Sequence, residues 1–142
     1  MYKIREVDAS DDEHAETIVF LHRETSNFPE IDQGDFDRGF WWVGYLDKEP
    51  VSYAGIIPST HYRTGCYFKR VGVMPGHRGH GLQLRHMQTM ERRVRASGYS
   101  LIVSDTTNNL QSANNFIRAG YRLFEPECPW AFEYSLYWRK QL

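Results

Sequence analysis

The sequence predicts an α+β fold, in which a mixed, mostly antiparallel sheet of about seven strands is flanked by three to four helices. Apolar runs separated by short turns dominate the first half of the chain, which is typical of antiparallel strands. The middle has the order strand, glycine loop, helix, strand, which predicts one right-handed crossover. The chain has 142 residues, 41% of them hydrophobic, so residues 1–142 are expected to form a single domain.

The first strand and the first helix are expected within residues 1–25. Residues 2–7 alternate weakly between apolar and polar side chains, which indicates a strand. Ser10 followed by Glu13 is a capping-box pattern, so a helix is expected to open there and to end near Thr25. Residues 26–39 contain Pro, Gly and several acids and predict a loop or a short second helix. The apolar stripe of the first helix is expected to comprise Ala15, Ile18, Val19 and His22.

Three antiparallel strands are expected next. Residues 40–46 and 51–57 are apolar runs on either side of the turn at residues 47–50, which predicts a hairpin. Residues 65–74 form a third strand of this set. Pro75 follows and is expected to end it.

A helix is expected from the end of the glycine loop to about Ser97, where Gly98 stops it. Residues 101–103 are wholly apolar and predict a short strand buried on both faces. The core-facing stripe of the helix is expected to be Leu84, Met87, Met90 and Val94.

The last third of the chain is expected to supply one more helix and two more strands. Residues 112–119 predict a short helix that ends at Gly120. Residues 121–124 and 131–138 are then expected to be strands, on either side of a proline-containing turn.

Composition excludes several classes of protein. Cys66 and Cys128 lack CxxC spacing, so neither a disulfide framework nor a metal finger is expected. No stretch reaches the roughly 18 apolar residues of a membrane span, and residues 1–8 lack the apolar part of a signal peptide. No basic run interleaved with aromatic residues indicates nucleic-acid binding. We therefore expect a cytoplasmic monomer or homodimer without membrane or nucleic-acid partners.

The near-neutral net charge of -1 conceals a strong asymmetry along the chain. Residues 1–49 contain 13 acidic and 5 basic side chains, whereas residues 63–95 contain 8 basic side chains and a single acid. Two interpretations remain open. The blocks are either two solvated faces, or binding regions for a polyanionic ligand in the middle of the chain and a cationic one near its start.

The glycine-rich segment at residues 76–83 follows a strand and precedes a helix, which is the arrangement that binds phosphate at a helix N-terminus. A Walker loop is excluded because the sequence has no Gly-Lys pair. The dinucleotide pattern GxGxxG matches Gly79 and Gly81 but has Leu84 in place of its third glycine, although Asp105 could imitate the ribose-binding acid. A nucleotide-binding module therefore stays open as an alternative.

A third phosphate-binding pattern fits this segment better. Residues 71–82 resemble the acetyl-CoA loop of the GNAT superfamily of N-acetyltransferases, whose pattern is Val-x-Val-x-Pro and then Arg/Gln-x-x-Gly-x-Gly/Ala. Arg78 and Gly81 match this pattern, whereas Gln83 replaces the final small residue. Residues 109–121 resemble the Asn-x-x-Ala/Ser…Tyr-x-x-x-Gly-Phe helix of the same superfamily.

The resemblance implies a GNAT fold with a splay between strands 4 and 5, where the pantetheine arm of acetyl-CoA lies along strand 4. It implies that the pyrophosphate rests on the amides of residues 79–84 and that Asn109 holds the arm from the other side. The residues implied to contact acetyl-CoA are Val71, Gly72, Val73, Arg78, Gly79, His80, Gly81, Leu82, Gln83, Leu84, Asn109 and Phe116.

The usual catalytic positions of the superfamily are replaced in this chain. The two positions that often carry glutamate hold Ser104 and Tyr67, and the tyrosine position on the last helix holds Phe116. Tyr67 and Tyr134 are the candidate catalytic residues, and His61 and Asp105 are further candidates at the edge of the splay. His77 and His80 have a metal-like spacing without an evident third ligand, so no metal site is expected.

The resemblance therefore implies direct transfer of an acetyl group from acetyl-CoA to a primary amine, within a ternary complex. The expected acceptor is a small molecule or an amino-acid-derived compound. The replaced positions leave open a catalytically weak acyl-CoA-binding or sensing protein. Two tryptophans and four acids in the first third could attract and stack a cationic or aromatic amine, or belong to a solvated loop; they are Trp41, Trp42, Glu30, Asp32, Asp35 and Asp37.

Overall fold

The computed structural model describes residues 1–26 and 28–142, which form one seven-stranded sheet with four α-helices in those residues. Neighbouring strands follow the order β1-β2-β3-β4-β5-β7-β6, and every pair is antiparallel except the parallel pair β4–β5. This confirms the predicted α+β fold and its crossover. The strands are β1 Tyr2–Val7, β2 Phe40–Leu46, β3 Glu49–Pro58, β4 Gly65–Val73, β5 Leu101–Thr106, β6 Arg122–Phe124 and β7 Leu136–Gln141. The helices are α1 Asp12–Thr25, α2 Gln33–Arg38, α3 Leu82–Ala96 and α4 Leu110–Arg118.

Each face of the sheet carries its own apolar core. Helices α1 and α2 cover one face, where Ile18, Leu21 and Phe36 pack on the strands. Helices α3 and α4 cover the other face, where Met87 and Phe116 belong to the core. We call these the α1–α2 face and the α3–α4 face. Among the described residues, no helix has the combined length and apolar character needed to cross a membrane.

Strand β4 has a bulge at the point where it leaves strand β5. Gly55 of β3 pairs with Arg70 and Ile56 pairs with Phe68, so Lys69 is an extra residue on β4. The ladder between β4 and β5 ends with the pair Tyr67 and Val103. Beyond this pair the two strands separate, which confirms the expected splay between strands 4 and 5.

The start of α1 differs from the expected capping box. The backbone N–H and the hydroxyl of Ser10 both donate to the Asp8 carboxylate, and the helix begins at Asp12 without a side-chain cap. The Asp8 carboxylate therefore competes successfully for the group that was expected to cap the helix. Leu21 is also a fully buried member of the helix stripe, which the prediction missed.

The last strands also differ from expectation. Strand β7 begins at Leu136, because residues 131–135 turn back on themselves: Ser135 N–H donates to the Phe132 carbonyl, and Ala131 N–H donates to the Tyr137 hydroxyl. Strand β5 continues to Thr106, since β7 pairs with it over its whole length. Helix α4 likewise begins earlier than expected, at Leu110.

Candidate functional site

The glycine loop between β4 and α3 ends in an uncapped helix N-terminus. Gly79 has φ 86° and Gly81 has φ 72°, the left-handed region that favours glycine. Gly81 directly precedes α3, and no side chain caps the helix. A Cβ atom built on either glycine meets no atom within 4 Å, so open space borders the loop. The first amides of α3 therefore lie at the positive end of the helix dipole and border open space, an arrangement that favours an anion.

The end of β4 contacts both faces of the sheet. Val71 packs against the α3–α4 core. A Cβ atom at Gly72 would lie 2.2 Å from Thr25 Oγ1 and 2.6 Å from Tyr53 Cε1, so only glycine allows α1 to approach the strand here. Arg78 Nε donates to the Val73 carbonyl at 3.3 Å and ties the loop to the strand.

One side-chain hydrogen bond joins the N-termini of α3 and α4, and a second caps α4. Gln83 Nε2 donates to Ser112 Oγ at 3.0 Å, so the glutamine side chain extends toward α4. Asn109 is the N-cap of α4, where its Oδ1 accepts from the Ser112 N–H at 3.0 Å. The amide nitrogen of the Asn109 side chain forms no hydrogen bond with the described residues.

Phe116 lies within the α3–α4 core and is 2% exposed. Its ring stacks on Trp138 at a centroid distance of 5.7 Å and meets the edges of Phe68 and Tyr121. Phenylalanine has no proton to donate, so Phe116 supplies packing and no acid.

A carboxylate on the α1–α2 side of the splay receives two hydrogen bonds. The hydroxyl of Tyr67 donates to Asp105 Oδ2 at 2.6 Å, and Trp130 Nε1 donates to the same oxygen at 2.9 Å. Burial raises the pKa of Tyr67, and the negative charge of Asp105 raises it further. Tyr67 therefore stays protonated at neutral pH and acts as a donor to Asp105.

Aromatic rings surround this carboxylate. His61 stacks on Trp130 with ring centroids 5.0 Å apart, and Tyr137 meets Trp130 edge to face at 4.7 Å. Sequence reasoning did not single out Trp130, which lies outside any strand or helix and has no periodic pattern. Asp105 was a candidate. It lies two residues after Val103 on β5, and Val103 pairs with Tyr67, so the alternation of side chains puts Asp105 on the same face as Tyr67.

The remaining catalytic candidate is Tyr134, and Ser104 is the replaced glutamate position on β5. Tyr134 is 80% exposed and lies outside β7, so the expectation that it borders the splay from a strand is wrong, and its catalytic role stays a prediction. Ser104 is buried and donates from Oγ to the Phe68 carbonyl at 2.9 Å, where β4 and β5 begin to separate.

Three of the four acids singled out in the first third have partners within the protein. Asp35 is buried and forms ion pairs with Arg38 and with Lys69, whose Nζ is 3.2 Å away. Asp32 caps α2, and Glu30 pairs with Arg23. The tryptophans beside them, Trp41 and Trp42, are each 1% exposed and lie in opposite cores, which excludes the interpretation that they stack on an acceptor.

The loop histidines pack against the first strand. His77 Nδ1 and the Tyr2 hydroxyl form a 2.9 Å hydrogen bond, and the His80 ring lies 5.2 Å from the Tyr2 ring. In the part of the chain that the structure describes, no three His, Cys, Asp or Glu side chains are grouped to hold a metal ion. These contacts attach the glycine loop to the edge of the sheet.

Comparison with known proteins identifies the fold and the family. The family model for the acetyltransferase (GNAT) family matches residues 3–121. No curated protein sequence matches the chain at a significant level.

Several solved structures share the fold over almost the whole chain. The ribosomal-protein-S18-alanine N-acetyltransferase from Escherichia coli is 9% identical, with 99% of this chain and 94% of that chain covered and a TM-score of 0.78. An acetyltransferase from Bacillus subtilis, solved in complex with CoA, is 12% identical, with coverage of 100% and 99% and a TM-score of 0.75. A Klebsiella pneumoniae protein assigned to the acyl-CoA N-acyltransferases is 22% identical, with coverage of 100% and 98% and a TM-score of 0.74. Since the family model spans most of the sequence, this chain belongs to the GNAT family of acetyltransferases.

Proposed function

We propose that this chain transfers an acetyl group from acetyl-CoA to the primary amine of a small or amino-acid-derived acceptor, by direct transfer in a ternary complex. One observation carries the proposal: the β4–β5 splay opens beside the uncapped N-terminus of α3. An anionic ligand held at that N-terminus can extend along the free edge of β4 into the splay. The family match supports acetyl-CoA as that ligand.

The residues around the loop suit acetyl-CoA. The amides of Leu82, Gln83 and Leu84 form the first turn of α3, and we expect them to bind the pyrophosphate. The edge of β4 at Val71–Val73 has no β5 partner, so its main chain is available to the pantetheine arm as an added strand would be. Arg78 is exposed beside the loop and adds positive charge.

The acceptor is expected on the opposite side of the splay, where Asp105 and Tyr67 lie. In the reaction a C–N bond forms, the C–S bond of the thioester breaks, and the amine loses a proton. Asp105 Oδ2 is occupied by the hydrogen bonds from Tyr67 and Trp130. Asp105 Oδ1 is then the atom that receives the amine proton, and Tyr67 fixes the orientation of the carboxylate.

The acceleration in this account comes mainly from orientation. A thioester is already reactive, and holding an amine against it supplies a large part of the rate enhancement. Phe116 offers no acid, so water protonates the departing thiolate, whose reference pKa is about 8.5.

The alternative is a catalytically weak acyl-CoA-binding or sensing protein of the same fold. Two observations favour it: Phe116 is packed in the core where relatives are expected to carry an acid, and Ser104 is engaged with a main-chain carbonyl. Both proteins would bind acetyl-CoA, and only the enzyme would turn it over.

We also propose a cytoplasmic location. Cys66 is a buried free thiol, and burial raises its pKa to about 12, while Cys128 is an exposed free thiol. Free thiols are typical of a reducing compartment, and this supports the proposal.

Thermal unfolding with ligands tests the coenzyme part of the proposal. A ligand that binds only the native state stabilises it by about 2.7 kcal/mol at a hundredfold excess over Kd. Acetyl-CoA is therefore expected to raise Tm by a few degrees, and NAD and ATP to raise it less. A larger shift with NAD than with acetyl-CoA would indicate a nucleotide-binding module instead.

A further inference from the structure

We propose that the acceptor carries a carboxylate close to its amine and that Arg70 binds this carboxylate. The inference rests on the proposed acetyl transfer and names its substrate class: free amino acids and similar zwitterions. Arg70 would be a specificity-determining residue on the acceptor side of the splay.

The bulge in β4 places Arg70 on the α1–α2 face. Side chains on a regular strand alternate between faces, and an inserted residue lets two consecutive side chains share one face. Lys69 reaches Asp35 of α2, and the guanidinium of Arg70 lies 5.2 Å from the ring centre of Phe28, which follows α1. Both side chains therefore lie on the α1–α2 face. Without the bulge, Arg70 would point to the α3–α4 face.

Arg70 lies on the same strand and the same face of the sheet as Tyr67, the hydrogen-bond donor to Asp105. Burial raises the pKa of the Tyr53 and Tyr67 hydroxyls, and the positive charge of Arg70 opposes that rise at both. Tyr53 is fully buried on the α1–α2 face. Arg70 therefore lies on the α1–α2 face beside the segment that follows α1, three residues along β4 from Tyr67.

Arg70 lacks an anionic partner in the described part of the chain. Its Nη1 donates to the Lys69 carbonyl at 2.9 Å, whereas its Nε is buried without a hydrogen-bond partner. The ion pairs formed by the described residues include Lys69 with Asp35 but none with Arg70. A half-buried guanidinium with an unsatisfied donor is unfavourable unless a ligand supplies the missing acceptor.

A carboxylate is the anion that fits best. The planar guanidinium presents parallel N–H groups that match the two oxygens of a carboxylate. The phosphates of acetyl-CoA are expected at the N-terminus of α3, whose helix packs against the other face of the sheet, and Val71 next to Arg70 also points to that face. The anion for Arg70 therefore belongs to the acceptor.

The acceptor side then presents one anion and one cation. Asp105 attracts the amine, and Arg70 attracts a carboxylate. A zwitterion such as a free amino acid satisfies both groups. A polyamine would place a second cation against Arg70, and an amino-acid amide would leave Arg70 without its partner.

The experiment compares a panel of L-amino acids with the corresponding amino-acid amides, with acetyl-CoA as donor. Free thiol is measured over time, and the acetylated product is identified by mass spectrometry. The wild type is expected to have a kcat/KM about 10- to 100-fold higher for the acids, the range expected for a charged hydrogen-bond partner.

Variants of Arg70 separate recognition from folding. Arg70→Met is expected to remove most of the preference for acids, chiefly by raising KM for the acids. Arg70→Lys is expected to restore part of the preference. Arg63→Met, which removes an exposed arginine before β4, is the matched control and is expected to behave as wild type.

The outcomes separate this inference from the proposed function. Two results with the wild type would overturn the inference: equal kcat/KM for acids and amides, or no turnover of any amino acid in the panel. Neither result depends on whether the Arg70 variants fold. A Tm shift with acetyl-CoA in the same protein tests coenzyme binding separately from the choice of acceptor. If amides and acids are acetylated with equal kcat/KM, the acetyltransferase proposal is supported and the proposed role of Arg70 is wrong.

Discussion

The two faces of the sheet contribute to the site by different means. On the α3–α4 face the groups that suit the coenzyme belong to the main chain: the amides of α3, the left-handed Gly79 and Gly81, and the free edge of β4. On the α1–α2 face the reactive groups are side chains from distant segments, Tyr67, Asp105 and Trp130. Coenzyme affinity should therefore follow backbone geometry, whereas acceptor choice and proton transfer should follow a few individual side chains.

The largest expected effect is on the free energy of unfolding, through the packing of the α3–α4 face. Phe116→Ala should lower the free energy of unfolding by about 3–5 kcal/mol, because it removes a fully buried ring that stacks on Trp138. Urea unfolding measures this change. Ile117→Ala on the same helix removes an exposed side chain and is the control.

A different result with Phe116→Ala would revise the comparison. Unchanged stability together with weaker acetyl-CoA binding would mean that the ring faces the ligand instead of the core. That outcome would make a side chain, rather than the main chain, the principal contact on this face.

The next largest effect is expected on the acceptor face. Asp105→Asn should lower kcat about a hundredfold, at the lower end of the usual contribution of a general base. Acetyl-CoA affinity should be unchanged, since Asp105 lies on the other side of the splay from the glycine loop. Steady-state kinetics with any amine that wild type acetylates, and calorimetry with acetyl-CoA, measure the two quantities.

An exposed acid provides the control for Asp105. Glu133→Gln changes the same charge in the turn before β7 and should have no effect. An Asp105→Asn protein with wild-type kcat would remove this carboxylate from the reaction.

A smaller effect, on acetyl-CoA affinity, is expected when the main-chain geometry of the glycine loop is changed. Gly81→Val should weaken acetyl-CoA binding about tenfold or more, equivalent to about 1.4 kcal/mol, because a β-branched residue disfavours φ 72° and the amides of α3 would be displaced. Gly76→Ala is the matched control: its added Cβ meets no atom within 4 Å, and Gly76 is outside the left-handed region. Equal affinities for the two variants would exclude the loop as the phosphate site.

The smallest effect concerns the pH dependence of the α3 contact with the sheet. Burial lowers the pKa of His86 to about 3, with a further contribution from Arg85, while the imidazole bonds to Ser52 through Nε2 at 2.8 Å. The unfolded chain binds a proton below about pH 6.5 that the folded chain rejects, so stability falls as pH falls below that value. Between pH 7 and pH 5.5 the loss is expected to be about 1 kcal/mol.

Urea unfolding at the two pH values measures this loss. His86→Gln should remove most of it, whereas His80→Gln in the exposed loop should not. A wild-type protein as stable at pH 5.5 as at pH 7 would mean that His86 accepts a proton in the folded state.

The coenzyme side could be predicted from the sequence because it is contiguous. The glycine loop, the end of β4 and the start of α3 follow one another along the chain, and two of the loop glycines do have positive φ. Helix α4 and its Asn109 cap also lie within one short pattern. Local sequence therefore carries most of the information about this side of the splay.

The acceptor side could be predicted only in part. Tyr67 and Asp105 were recognised as candidates, but their hydrogen bond joins residues on different strands and depends on the register between β4 and β5. Trp130 reaches Asp105 from a segment without regular structure. Arg70 reaches this face only because of the bulge at Lys69, which no pattern in the sequence indicates.

Two local predictions were wrong because a nearby side chain competed with the main chain. Ser10 was expected to cap α1, but it bonds to Asp8 instead. Residues 131–135 were expected to lie in a strand, but the Tyr137 hydroxyl holds the Ala131 N–H and the segment turns. In both places one side chain satisfies a group that regular structure would have used.

The initial-velocity pattern of thiol release tests the central claim most directly, that the splay brings acetyl-CoA and an amine together for direct transfer. Initial velocities are measured while the concentrations of acetyl-CoA and of an amino-acid acceptor are both varied. The mass of the product is measured by mass spectrometry. Direct transfer predicts intersecting double-reciprocal lines, a product heavier by one acetyl group, and no appreciable thiol release without acceptor. Parallel lines, or thiol release that no amine accelerates, would contradict it.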